Sequence, residues 1–204
     1  AQTVGRRLLF EGTVMAGTPS LRLALQALAG CTISEARGII NGSTNYMLTQ
    51  METGLTYTEA QAQAQQLGYL EADPSADVDG WDAAGKALIL AAALFGRQLA
   101  LSDLDVHGIR DLTPEAIAEA KAAGMRWKLI AQVTPEGGSV RPQRIPLDHP
   151  LAGVGGASNA VTFTTDLLGE VTLIGPGAGR QQTGFALLSD LLDLHRMRET
   201  HNAD

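Results

Sequence analysis

The sequence predicts an α+β domain built around one β-sheet. Helical and strand-like runs interleave over the first two thirds of the chain, and from Arg126 onward four strand-like runs follow in short succession before a last helix. Of 204 residues, 45% are hydrophobic and only 18% charged, which is enough for one sizeable core and too little charge for a disordered chain. No internal repeat, linker or composition shift divides the chain.

Arg7 to Val14 reads as a strand, turned by Met15 to Pro19. Ser20 to Leu28 reads as a helix with Leu21, Leu23, Leu25 and Leu28 as its apolar positions, stopped at Gly30. Thr32 to Ile40 is a strand running into an Asn41-Gly42 turn, and a helix from about Ser43 to Glu52 follows. Thr56 with Glu59, and Thr58 with Gln61, each fit a capping box for the helix of Glu59 to Leu67, which Gly68 ends. Gly68 to Gly80 is a carboxylate-rich loop, and Trp81 to Phe95 is the most apolar helix of the chain. Thr113-Pro114 starts a helix that ends near Gly124, with Thr as cap and Pro in the first turn. Strands are expected at Arg126–Val133, Val140–Gln143, Val161–Thr165 and Glu170–Ile174. The glycine turn Gly175 to Gly179 then leads into a helix of about Gly184 to Arg196.

The formal net charge of −7, without a basic block, argues against nucleic acid as a partner. The longest strongly apolar run, Ala87 to Gly96, is far short of the roughly 20 residues that a membrane span needs. A single cysteine, Cys31, permits no internal disulfide and fits a reducing, cytoplasmic setting. The chain opens on Ala1 and enters a strand-like run almost at once, which reads as a piece of something longer. His107, His149, His195 and His201 are scattered outside every motif.

Chemistry concentrates between Gly68 and Lys86, which hold Glu71, Asp73, Asp77, Asp79, Asp82 and then one lysine. From Asp82 to Gly96 the only charges are Asp82 and Lys86, four residues apart and so on one helix face. The rest of that helix is apolar nearly all round, which implies burial, and lysine and aspartate are rarely buried unless paired. Spacing alone leaves open a structural ion pair beside a solvated acidic loop. A calcium loop fails on pattern: counted from Asp73, the sixth position is Val78 and the twelfth Ala84, where an EF-hand needs Gly and Glu. Gly175-Pro-Gly-Ala-Gly179 imitates a dinucleotide fingerprint, but the final glycine of Gly-x-Gly-x-x-Gly would fall on Arg180.

Gly38-Ile-Ile-Asn-Gly-Ser-Thr-Asn-Tyr46, Met51-Glu-Thr-Gly54, the stretch from Gly68 to Lys86, Phe10 to Pro19 and the glycine turn together resemble the homoserine dehydrogenases over nearly the whole chain. The resemblance implies a mixed sheet with helices packed mainly on one face. It implies that residues 1–204 are a catalytic domain for substrate binding and dimerisation, with the N-terminal nucleotide-binding domain absent from this chain. The activity implied is NAD(P)-dependent interconversion of L-homoserine and L-aspartate 4-semialdehyde, in threonine, methionine and isoleucine biosynthesis. Lys86 matches the family's proton-transfer residue, and Asp82 the aspartate that holds the substrate. Glu71 matches the glutamate that binds the amino-acid end, and Asp77 another acid of the pocket. Gly68 and Gly179 match positions that approach the nucleotide. Glu11, Val14, Ala16 and Thr18 match a turn that coordinates a monovalent cation, usually sodium, largely through backbone carbonyls. A homodimer formed through the sheet is also implied.

The chemistry is consistent with these matches. An ammonium needs carboxylate or carbonyl acceptors, which Glu71 and its neighbours supply. Oxidising an alcohol releases a hydride and a proton. A lysine takes the proton only when neutral, a form that burial or a neighbouring cation favours. Without the nucleotide-binding half, the fragment alone is expected to be inactive. Two other readings are a stand-alone amino-acid-binding or dimerisation module reusing the fold, and a related dehydrogenase of another small amino or hydroxy acid.

Overall fold

The computed structural model describes residues 6–201. Six strands form one sheet: β1 (Ile33–Ile39), β2 (Leu104–Val106), β3 (Met125–Thr134), β4 (Gly137–Pro146), β5 (Ser158–Thr165) and β6 (Gly169–Pro176). Their order across the sheet is β2-β4-β3-β1-β5-β6. Among the described residues only the β2–β4 pair is parallel. The mixed α+β architecture expected from the sequence is therefore present.

The helices are α1 (Gly12–Met15), α2 (Ser20–Arg22), α3 (Gly42–Met51), α4 (Tyr57–Gln66), α5 (Ser75–Val78), α6 (Trp81–Phe95), α7 (Pro114–Ala122) and α8 (Arg180–His201). Strand alternation sets the layers. From β3, Leu129, Ala131 and Val133 join Met47, Leu48, Ala84, Ala87, Leu90 and Ala91 in the main core. Ile130 points the other way, into a smaller cluster with Ile39, Ile145 and Ala160 beneath the turn of Pro150–Gly153. Helices α3, α6 and α7 thus cover one face of the sheet.

Helix α6 carries the site, and small residues set its depth. Ala84, Ala87 and Ala91 are fully buried, so the helix axis lies close to the strands. Its C-terminus is closed by Gly96 at φ 63°, whose N–H reaches the carbonyl of Ala91. The Thr56/Glu59 capping box forms at α4, and Thr113 caps α7, as expected.

Three expectations are corrected. Arg7 to Val14 is not a strand: residues 6–10 are irregular and Gly12–Met15 is helical. The Glu11 carboxylate accepts the N–H groups of Leu21 (2.9 Å) and Arg22 (2.8 Å), which draws the segment onto the following helix and away from any sheet edge. Second, the helix expected at Ser20–Leu28 opens as α2 but widens into a π-helical turn at Leu23–Ala27. Third, the acidic loop contains the short helix α5, and the three-residue strand β2 had no readable alternation.

The β1–β5 contact tolerates no side chain at Gly38, where a Cβ would fall 2.1 Å from the Ala160 carbonyl oxygen. Gly38→Ala is expected to lower stability by about 1–3 kcal/mol, the cost of overpacking a well-packed interior, as read from urea unfolding.

Candidate active site

The end of β1, the start of α3 and the first turn of α6 meet at one point. Asn41 joins them. Its Oδ1 accepts the N–H of Thr44 at 2.9 Å, capping α3. Its Nδ2 donates to Asp77 Oδ1 (2.5 Å) and to Asp82 Oδ2 (2.8 Å). Asp82 Oδ2 also receives Lys86 Nζ at 2.8 Å, and Nζ donates on to the carbonyl of Ile40 at 3.0 Å. The result is a continuous chain, Asp77–Asn41–Asp82–Lys86. Lys86 and Asp82 are not sunk in the core: their side chains retain 20% and 35% exposure, because this face of α6 opens onto a cavity. Burial raises the Asp77 pKa above its ordinary value; the Asn41 hydrogen bond opposes the shift, Asp82 adds to it, Lys86 opposes it and Glu71 adds to it.

The cavity has a volume of about 800 Å³. One wall carries Asn41, Asp77, Asp82 and Lys86; the other is the turn from Gly175 to Gly179, main chain but for Pro176 and Ala178. Gly68 (φ 74°) and Tyr69 form the rim. Ser43 Oγ donates to the Tyr69 carbonyl at 2.6 Å, and the Tyr69 ring packs on Tyr46 with centroids 4.9 Å apart. Of the expected site residues, Asp77, Asp82, Lys86, Gly68 and Gly179 therefore surround one space. Glu71 does not line it; the side chain is exposed on the loop beside Asp77, and its backbone carbonyl accepts Gln65 Nε2 at 3.0 Å. The remaining acids serve the loop. Asp73 accepts the N–H of Ser75, and Asp79 pairs with Arg110.

Glu11, Val14, Ala16 and Thr18 are all buried. Both carboxylate oxygens of Glu11 are engaged by Leu21 and Arg22, and its carbonyl stands at the start of α1. Ala16 adopts φ 47° and ψ −116°, among the described residues the one non-glycine with positive φ. Such a conformation turns its carbonyl out of the helical direction. Among the described residues no cluster of three or more His, Cys, Asp or Glu could hold a metal. What the segment can offer an ion is therefore main-chain oxygen and not a cage of carboxylates.

A family model for homoserine dehydrogenase matches residues 19–192. The chain belongs to the homoserine dehydrogenase family. It is 50% identical over 192 residues to an NAD(+)-dependent homoserine dehydrogenase of Pseudomonas canavaninivorans, a match covering 92% of this chain and 54% of the relative. It superposes on a putative homoserine dehydrogenase from Archaeoglobus fulgidus with a TM-score of 0.91 at 43% identity, covering 95% of this chain and 60% of that one. A hyperthermophilic archaeal homoserine dehydrogenase in complex with NADPH gives a TM-score of 0.78 at 38% identity, covering 90% and 54%. The chain thus spans about half the length of the relatives it matches.

Sequence reasoning missed two supports of this family site. Asn41-Gly42 reads as a turn, although an Asn before Gly-Ser-Thr and an apolar run is equally a helix N-cap signal. Lys128, a lone charge in the apolar strand Trp127-Lys-Leu-Ile-Ala131, is 1% exposed. Its Nζ donates to Asn45 Oδ1 (3.0 Å) and the Val154 carbonyl (2.7 Å). Asn45 Nδ2 lies within 3.2 Å of the carbonyls of Val154, Gly156 and Ser158. Together they fix the loop whose Ala157 and Ser158 line the cavity. Asn45 therefore points away from the cavity and Ser43 toward it.

Burial lowers the Lys128 pKa to about 8, with Glu52 opposing and Arg126 assisting. In the unfolded chain a lysine titrates near about 10.4. Between those values the unfolded state binds the extra proton, so stability rises with pH through this window. Lys128→Met is expected to abolish that rise: the stability of the wild type relative to the variant should increase between about pH 8 and 10 in parallel urea titrations.

Proposed function

We propose that the full-length protein interconverts L-homoserine and L-aspartate 4-semialdehyde with NAD or NADP, and that this chain forms its substrate-binding half. The observation that carries the reading is the Asp77–Asn41–Asp82–Lys86 chain on the wall of a cavity. The substrate ammonium would sit at Asp77 and Asp82, with the carboxylate of Glu71 turning in from the exposed loop beside Asp77 to join them; all three are acceptors of the required charge. The alcohol oxygen would lie at Lys86 Nζ. In the oxidative direction the O–H proton goes to a neutral Lys86; in the reductive direction the ammonium of Lys86 returns it to the alkoxide. Nζ donates to two acceptors, Asp82 and the Ile40 carbonyl, which fix its position on the cavity wall. Asp82 and Asn41 fix where that donor points.

The glycine turn and Gly68 fit a nicotinamide ring. A Cβ at Gly68 would meet nothing within 4 Å, and the turn offers only backbone and one alanine and one proline side chain to the opening. When bound there, the nucleotide supplies the acceptor or donor of hydride. Glu11, Val14, Ala16 and Thr18 are proposed to hold a monovalent cation such as sodium through main-chain oxygens. The protein is proposed to be a cytoplasmic homodimer of the threonine, methionine and isoleucine pathways.

In the full-length protein, Lys86→Met is expected to lower kcat on the order of 10²–10⁴-fold in steady-state assays of homoserine oxidation, the usual contribution of a proton-transfer group. Unchanged turnover would remove Lys86 from the mechanism. The 204-residue chain by itself is expected to show no turnover but to bind L-homoserine in calorimetry, more weakly after Glu71→Ala; measurable NAD(P) reduction by it would overturn the two-half reading.

A further inference from the structure

Asn159 on β5 is fully buried, and among the described residues neither its Oδ1 nor its Nδ2 has a hydrogen-bond partner. A buried amide without partners costs more than an apolar group of the same shape. Its position is defined by two glycines of the cavity. Asn159 pairs across the sheet with Gly175, where the glycine turn begins. Two residues on, a Cβ at Gly177 would fall 2.0 Å from the Asn159 carboxamide carbon and nitrogen. On the other side a Cβ at Gly42 would lie 3.3 Å from its Oδ1. The carboxamide is therefore wedged between the two walls, occupying the side-chain space of Gly177. The turn is tied down at its first half, where Thr18 Oγ1 donates to the Pro176 carbonyl at 2.9 Å. It is held again at Gly179, whose carbonyl accepts the N–H of Thr183 at 2.9 Å, and between these two points Gly177 rests on a group that makes no bond.

We infer that Asn159 is a positioning residue for the glycine turn, and that ligand uptake and the turn's hydrogen bonding to its carboxamide are one coupled event. As substrate and nucleotide fill the cavity, the peptides flanking Gly177 settle onto the amide, which then gains the hydrogen bonds it lacks at rest. The inference rests on the homoserine reading above, which supplies the ligand.

The test uses full-length protein and the near-isosteric Asn159→Leu. Without ligand, the melting temperature of the variant is expected to rise by about 2–4 °C, since an unpaired amide is replaced by an apolar group. Its KM for L-homoserine is expected to rise about tenfold, the loss of a hydrogen bond made only in the bound state. A purely structural asparagine would lower the melting temperature and leave KM alone. A lower melting temperature, or an unchanged KM with normal wild-type turnover, overturns the inference while leaving the functional reading intact. Absence of wild-type turnover overturns that reading, and this inference with it. Hydrogen exchange on the wild type needs no variant: the backbone amides of residues 177–179 should gain protection with L-homoserine and NAD⁺ together, and no gain overturns the inference.

Discussion

The carboxamide of Asn41 has only one oxygen and one nitrogen, and the site needs both. The oxygen closes the first turn of α3; the nitrogen holds Asp77 and Asp82 together. Two carboxylates brought this close repel each other unless something positive or donating stands between them. Asn41 supplies the donor without adding charge, and Lys86 supplies the charge from one helical turn further along α6. The angle of α3 to the sheet, the path of the acidic loop and the direction of the lysine thus depend on a single planar group at the end of β1. Aspartate at this position could cap the helix but would lose both donated bonds.

The rest of the fold reads as support for that junction. The small residues of α6 let it sit close to β3 and β4, which brings its first turn level with the end of β1. On the far side of β3, Lys128 and Asn45 anchor the loop before β5, and that anchor sets where β5 and the glycine turn begin. Arg22 ties α8 back to the start of the described chain through Asp190 (2.5 Å) and Asp193 (2.8 Å), so the helix that leaves the glycine turn is held at its middle. These are partly buried, hydrogen-bonded ion pairs, in contrast to the exposed Arg144–Glu119 pair at 3.5 Å, which contributes little.

Much of this was legible in the sequence, for identifiable reasons. Helix α6 was readable to the residue because a long apolar run lies between two glycines, and α7 because Thr-Pro marks its start. The four late strands are legible in place but extend further in the structure, most of all β4, which carries Pro142 and several polar residues and lacks clean alternation. Leu8-Leu9-Phe10 reads as a strand and is irregular, because consecutive apolar residues say nothing about whether a partner strand exists. In the site, the Asp82–Lys86 pair was visible through helical spacing. What spacing could not show was long-range contact: Asn41 meets Asp77 and Asp82 across 36 and 41 residues, and Lys128 meets Asn45 across 83. Nor could it show that the face bearing Lys86 borders a cavity instead of the core.

The two walls of that cavity differ in what mutation can do to them. Gly175 and Gly177 are denied side chains by Thr18 and Asn159, which already occupy the space a Cβ would need. At those two positions the wall can present only peptide groups, which are the same in every sequence, and its side chains are those of Pro176 and Ala178. The opposite wall has no such restriction and carries the charged groups of the cavity, Asp77, Asp82 and Lys86. A lineage changing its ligand on this scaffold would therefore find the two surfaces unequally editable, with the glycine positions held by the side chains that already fill their space.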